Sequence, residues 1–173
     1  MKNLLQTLCG LFLVVFYSSC MNSGDNRVDV LIVGGGASGV TSGIQAARMG
    51  ANTLILEETT WLGGMLTSAG VSAVDGNYRL PAGLWGEFKN RLSDYYGGLD
   101  SLKTGWVSNV LFEPSVGNKI FHEMVSAEKN LKVWKQTRLE EVKRVGDEWI
   151  AKVNVEGQGM KTVRSKVMID ATE

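Results

Sequence analysis

The sequence predicts an α/β fold: a parallel sheet flanked by helices, with an antiparallel β-meander inserted before the closing strand. Three patterns predict it. Val28–Val33 and Ser165–Asp170 are largely aliphatic and β-branched runs, as expected of strands buried on both faces of a parallel sheet. A stretch with helical spacing separates the first run from a second strand at Asn52–Glu57, and parallel neighbours need such a crossover. From Thr137 to about residue 164 the apolar period changes to two, interrupted by glycine-bearing turns.

The elements follow in order. Gly34–Gly39 forms a tight turn after the first strand. Ala37–Met49 reads as a helix with Val40, Ile44 and Ala47 on one face, and Gly50 is placed to stop it. Residues 58–79 are rich in glycine without a clean period. They also contain Trp61, Leu62, Met65 and Leu66, which suits an ordered loop over a ligand better than a linker. Pro81–Tyr96 reads as a helix with Leu84, Trp85, Phe88 and Leu92 on one side, ended by Gly97-Gly98. Leu99–Pro114 has no assignable pattern. Ser115 is the expected N-cap of a third helix carrying Val116, Ile120, Met124 and Ala127. Strands are expected at Leu131–Trp134, Thr137–Val145, Glu148–Val155, Lys161–Val163 and Ser165–Asp170.

The bulk numbers exclude some functions. Of 173 residues, 44% are hydrophobic and 21% charged, with 18 basic and 18 acidic side chains. No basic stripe breaks this balance, which argues against nucleic acid as a partner. Residues 1–19 read as a signal peptide: Met1-Lys2-Asn3, then a largely apolar run from Leu4 to Tyr17, then Ser18-Ser19 before Cys20. The small residues before Cys20 resemble a bacterial lipobox, so Cys20 is expected to be the first mature residue and to carry lipid. Tyr17 departs from the Leu usual three residues before the cysteine. The apolar run is short for a membrane span, which needs ~20 residues. The expected location is the cell envelope, held to the membrane by the N-terminal lipid alone and on the periplasmic side, with secretion to the periplasm as the alternative. Residues 20–27 read as a tether and 28–173 as the folded domain. With Cys9 removed and Cys20 lipidated, no thiol remains for a disulfide or metal, and the single histidine, His122, leaves no basis for a zinc site.

The chemistry lies in Gly34-Gly35-Gly36-Ala37-Ser38-Gly39, a G-x-G-x-x-G hexapeptide that follows a strand and opens a helix. The second strand ends in an acid, Glu57. Each part has a physical task in dinucleotide binding. Gly34 permits the turn, Gly36 lets a pyrophosphate approach the backbone, and Gly39 lets helix and strand pack closely. The helix N-terminus offers free N–H groups at Ala37 and Ser38 and its dipole to the phosphates. Glu57 can accept hydrogen bonds from both ribose hydroxyls, and its charge disfavours a 2′-phosphate, so NADP is not expected. The hexapeptide by itself does not separate FAD from NAD.

The segment from Glu57 and Glu58 through Gly63-Gly64-Met65-Leu66-Thr67-Ser68-Ala69-Gly70 resembles the acid and Gly-Gly stretch of the glutathione-reductase-like FAD superfamily. Its Gly-Gly-Met form is similar to a bacterial FAD-dependent oxidoreductase family. The meander and the closing Ile169-Asp170-Ala171-Thr172-Glu173 match that family as well. The resemblance implies a Rossmann-like FAD-binding domain. It further implies that Gly63, Gly64, Met65, Thr67 and Ser68 run past the pyrophosphate towards the flavin. The turn at Ala171 and Thr172 would meet the cofactor again. Members continue beyond this point into a substrate domain, so the chain is expected to be the truncated N-terminal portion of such an enzyme. By itself it is expected to bind FAD poorly and to be inactive.

The implied activity is flavin-mediated two-electron redox of a small organic substrate, with no catalytic residue identifiable here and the redox partner unknown. No cysteine pair follows Gly64, which excludes a dithiol–disulfide reductase. No histidine lies between Gly63 and Arg79, which leaves a histidyl-flavin linkage there without an attachment site. His122 reads as a helix-flank residue rather than a general base, Asp75 as a turn former beside Gly76, and Trp85 as core. Two alternatives stand beside the flavoenzyme: an NAD-linked dehydrogenase, and a non-catalytic envelope lipoprotein, such as a polysaccharide-utilisation accessory, with a relict nucleotide-binding fold.

Overall fold

The computed structural model describes residues 26–103, 105–106 and 108–173. The expected signal peptide, Cys20 and most of the tether lie outside the described residues.

Strand β1 (Asn26–Val33) lies between β2 (Thr53–Leu56) and β6 (Gly159–Asp170), parallel to both. Strand β3 (Leu131–Trp134) extends the parallel sheet beyond β2. On the other side β5 (Glu148–Val155) and β4 (Thr137–Val145) add antiparallel, giving the order β3-β2-β1-β6-β5-β4. Among the described residues three α-helices connect the strands: α1 (Ala37–Arg48), α2 (Gly83–Tyr96) and α3 (Pro114–Ser126).

Alternation along the strands builds two cores. Ile32 of β1 and Ile55 of β2 face the helices, where Val40 and Ile44 of α1, Phe88 and Leu92 of α2, and Ile120, Phe121 and Met124 of α3 are all buried. Leu31, Val33, Leu54 and Leu56 face the opposite way. They are covered by Ala151, Val153 and Val155 of β5 and by Val163 of β6. The meander therefore folds back over the second face of the parallel sheet and makes a third layer. This explains why the first strands carry apolar residues on both faces while β4, at the sheet edge, is mostly exposed. Arg48, at the end of α1, pins the helical layer through ion pairs to Glu87 of α2 (2.6 Å) and Glu128 after α3 (2.7 Å). The Arg48 guanidinium in turn holds the Glu87 carboxyl below its usual pKa.

Several boundaries differ from expectation: β1 begins at Asn26, inside the expected tether of residues 20–27, and α2 begins at Gly83 rather than Pro81. The strands expected at Lys161–Val163 and Ser165–Asp170 are one strand, β6. Val163 and Ser165 pair with Ala151 and Trp149 of β5 on one side and with Asn26 and Val28 of β1 on the other. The change from alternating to continuous apolarity marks a change of neighbours, not a break in the chain. Helix α3 begins at Pro114 with Glu113 as N-cap, rather than at Ser115. Proline suits the first helical position because its missing N–H has no intrahelical partner there. Within Leu99–Pro114 the structure forms a short 3₁₀ turn, Leu99–Leu102, and one bridge, Leu111 to Ala73.

Candidate functional site

Chain order reverses at β1: the path runs from β1 to β2 on one side and later returns to β6 on the other. In open α/β sheets ligands bind outside the carboxyl ends of the strands at such a point. A cleft of about 260 Å³ lies there. It is lined by Gly34, Gly35 and Gly36 after β1, by Glu57, Glu58 and Thr59 after β2, by Gly64 and Ser68, and by Ala171, Thr172 and Glu173 after β6.

The two glycine segments are joined directly. The N–H of Gly63 donates to the Gly35 carbonyl at 2.8 Å, and Gly63 bridges Gly36 as a parallel strand residue would. Helix α3 fixes the second segment from behind. Asn118 Oδ1 accepts the Leu62 N–H at 2.9 Å. Gly63, at φ 107°, sits against the Phe121 ring so closely that a Cβ would lie 2.6 Å from Cε2. Gly63 thus supports the site from beneath rather than facing it. Thr67 does the same: it is buried, and its hydroxyl donates to the Leu62 carbonyl at 2.6 Å instead of lining the cleft. Met65 contributes its backbone N–H, while Ser68 lines the cleft and donates its hydroxyl to the Gly64 carbonyl at 3.2 Å.

At the mouth of α1 no side chain caps the helix, which leaves its first-turn N–H groups, at Ala37, Ser38 and Gly39, facing outward. Gly39 is buried against the Gly34 carbonyl, and Ser38 is exposed. The side-chain carboxylate of Glu173 occupies this cradle. Its Oε2 accepts the Met65 N–H at 2.8 Å, and its oxygens lie where a Cβ on either Gly36 or Gly64 would stand. The same position would suit the phosphate oxygens of a nucleotide. An anion fits the cradle because the walls offer N–H groups and a helix dipole and no side-chain bulk. Among the described residues no lysine or arginine lines the cleft, and the donors it offers an anion include the backbone N–H groups.

Glu57 is buried, and both of its oxygens are engaged. Oε2 accepts the Gly35 N–H and Oε1 the Thr59 N–H, each at 2.7 Å. It therefore holds the glycine loop to the end of β2. The ribose role expected of it rests on the second lone pair of each oxygen. Replacing Glu57 with Gln would leave one acceptor and turn an amide N–H₂ towards a backbone donor. The expected cost is about 2 kcal/mol of stability, read as a lower denaturant midpoint, and about a tenfold weaker hold on FAD, read by flavin-fluorescence titration. An unchanged midpoint would show that these two hydrogen bonds do not form in solution.

Asp170 shapes the last wall. Its Oδ1 accepts both the N–H (3.1 Å) and the hydroxyl (2.7 Å) of Thr172, which holds the carboxyl below its usual pKa and fixes the turn at Ala171 and Thr172. Thr137 and Leu139 of β4 close the cleft from the meander side. They were not legible as site residues, because only the fold-back of the meander brings them there; the Thr137 N–H to Glu57 carbonyl bond, 2.9 Å, records it. His122 is half-buried on α3, where burial and then the Lys135 charge lower its pKa. Asp75 is exposed beside Gly76 at φ 74°, and Trp85 packs on the helical core.

The family model described as FAD dependent oxidoreductase matches residues 29–173. The chain belongs to that family. The family indicates FAD as the cofactor, and the glycine loop and the Met65 N–H are the groups that would hold its pyrophosphate. No curated protein matches the sequence. Among solved structures, the chain is similar to a flavoprotein/dehydrogenase from Cytophaga hutchinsonii, with a TM-score of 0.62 and 13% identity over 85% of this chain and 39% of that one. It is similar to L-proline dehydrogenase from P. horikoshii, with a TM-score of 0.51 and 21% identity over 85% of this chain and 23% of that one. It also resembles p-nitrophenol 4-monooxygenase from Pseudomonas putida, with a TM-score of 0.54 and 15% identity over 85% of this chain and 41% of that one. At these identities the likeness is one of fold. The chain spans between about a quarter and two fifths of the length of these three proteins.

Proposed function

We propose that this chain forms the cofactor-binding part of an oxidoreductase that exchanges two electrons with a small organic substrate, and that Cys20 tethers it by lipid to the periplasmic side of the cell envelope. The observation that carries the redox reading is the single cradle made by the Gly34–Gly39 loop and the Gly63–Gly64 segment, hydrogen-bonded to each other and already holding a carboxylate at the Met65 N–H. The bound isoalloxazine supplies the electron chemistry, and the protein supplies position and electrostatics. The α1 N-terminus and Met65 N–H orient the phosphates. Glu57 fixes the loop that carries them, and its charge, with that of Glu58, disfavours a further phosphate on the ribose.

The test is a visible spectrum of the protein expressed from its full gene with residues 1–20 removed, followed by identification of any nucleotide released on heating. A yellow protein that releases FAD is the expected result. Released NAD would instead support the dehydrogenase alternative. A colourless protein that takes up no added FAD would overturn the flavoenzyme reading and favour a relict fold on an envelope lipoprotein. Metabolic labelling with a tritiated fatty acid, lost on Cys20→Ala, tests the anchor separately.

A further inference from the structure

Lys89 is out of place on its helix. The buried stripe of α2 runs through Phe88 and Leu92, with half-buried Trp85 packed beside it, and the same spacing turns position 89 inward. Lys89 is 7% exposed. Its Nζ donates to the Tyr78 carbonyl at 2.7 Å and to the Leu80 carbonyl at 2.9 Å, and it lies 5.8 Å from the centre of the Trp85 ring. Among the described residues no carboxylate pairs with it. A buried ammonium without a counter-charge is unfavourable, and two carbonyl acceptors leave one of its three N–H groups unspent.

That ammonium lines a cavity of about 350 Å³, separate from the FAD cleft and sharing no residue with it. Arg79 and Lys103 line it as well. Arg79 uses Nε on the Tyr78 hydroxyl at 3.1 Å, which leaves the forked end of its guanidinium to other acceptors. Lys103 is held by Asp100 at 2.8 Å, the one acid among the described residues bonded to any of the three cations. Asn109 adds an amide, and Leu99 and Val110 give one side of the cavity an apolar lining. Among the described residues the buried Trp85 Nε1, on the same helix, has no hydrogen-bond partner.

We propose that this cavity is a binding site for an organic carboxylate. The carboxylate would sit between Lys89 and Arg79, and the apolar body would lie against Leu99 and Val110. Three cations against one acid set the sign of the ligand's charge. The apolar lining favours an organic anion over an inorganic one.

The probe is benzoate, with benzyl alcohol as its uncharged counterpart, followed by calorimetry and by saturation-transfer NMR on the FAD-loaded protein. Benzoate is expected to bind in a saturable way, and benzyl alcohol at least about tenfold more weakly, because one charge-assisted contact is worth roughly that. Arg79 is exposed, so Arg79→Gln should leave folding and FAD affinity unchanged while weakening benzoate about tenfold. Lys89→Met removes the buried charge and should abolish benzoate binding. Should that variant not fold, the Arg79→Gln result decides alone. Equal affinity for benzoate and benzyl alcohol, or benzoate affinity unchanged in Arg79→Gln, would overturn the proposal. Neither outcome bears on the flavin, whose binding is read independently from its own spectrum.

Discussion

Gly36→Val is expected to abolish FAD binding and leave the fold standing. Gly36 has φ −63° and ψ −178°, a conformation that any residue adopts, so the substitution introduces no backbone strain. Its absent side chain matters only for space. The three atoms nearest a Cβ there all belong to the side chain of Glu173, which is exposed and can swing away. What the valine fills is the volume where the Glu173 carboxylate now sits, which is the volume a pyrophosphate oxygen needs. Pushing the pyrophosphate off the helix N-terminus removes hydrogen bonds to a charged group, each worth about 1.5–3 kcal/mol. Losing two of them weakens binding by at least about a hundredfold. Flavin-fluorescence titration reads the loss, and thermal unfolding followed by circular dichroism should show a midpoint close to that of the parent protein. Binding retained within about threefold would mean that the phosphates lie elsewhere. A collapsed midpoint would mean that Gly36 serves packing rather than the ligand.

Much of this site was legible because its chemistry is local in the chain. The turn, the helix start and the acid after β2 fall in one βαβ unit, and a motif read along the sequence can find them. What was not legible depends on contacts between distant segments. Gly35 occupies a variable position of the hexapeptide, yet a Cβ there would lie 2.7 Å from Glu57 Oε2 and 3.0 Å from Leu62 Cδ2, so this fold closes the position to any side chain. The motif position of Thr67 points to cofactor contact, but the hydroxyl turns inward to the Leu62 carbonyl because α3 packs beneath that loop. Thr137 and Leu139 enter the cleft only because the meander folds over the sheet, which the period-two pattern does not encode. Lys89 carries a readable signal, a charge at a core-facing helical position beside the apolar stripe of α2.

Gly34→Ala should do the opposite of Gly36→Val and cost the fold itself. Gly34 has φ 101°, a region that L side chains rarely adopt. A Cβ there would lie 2.6 Å from the Ala171 carbonyl carbon and 2.9 Å from the Thr172 nitrogen, and closer still to the Ala171 oxygen. All three are backbone atoms at the end of β6, held by the Ala171 N–H to Val33 carbonyl bond at 2.8 Å and by the Asp170–Thr172 turn. None can rotate away as Glu173 can. Strain at the dihedral and overpacking against a fixed strand each cost about 1–3 kcal/mol, so roughly 2–6 kcal/mol is expected in total. For a domain of this size that lowers the thermal midpoint by roughly 10 °C. Because the damage is to the β1–β6 junction, the midpoint should fall in the flavin-free protein as much as in the loaded one. A fall seen only with FAD bound would place the clash in the cofactor site instead. An unchanged midpoint would show that β6 does not close against the glycine turn at all.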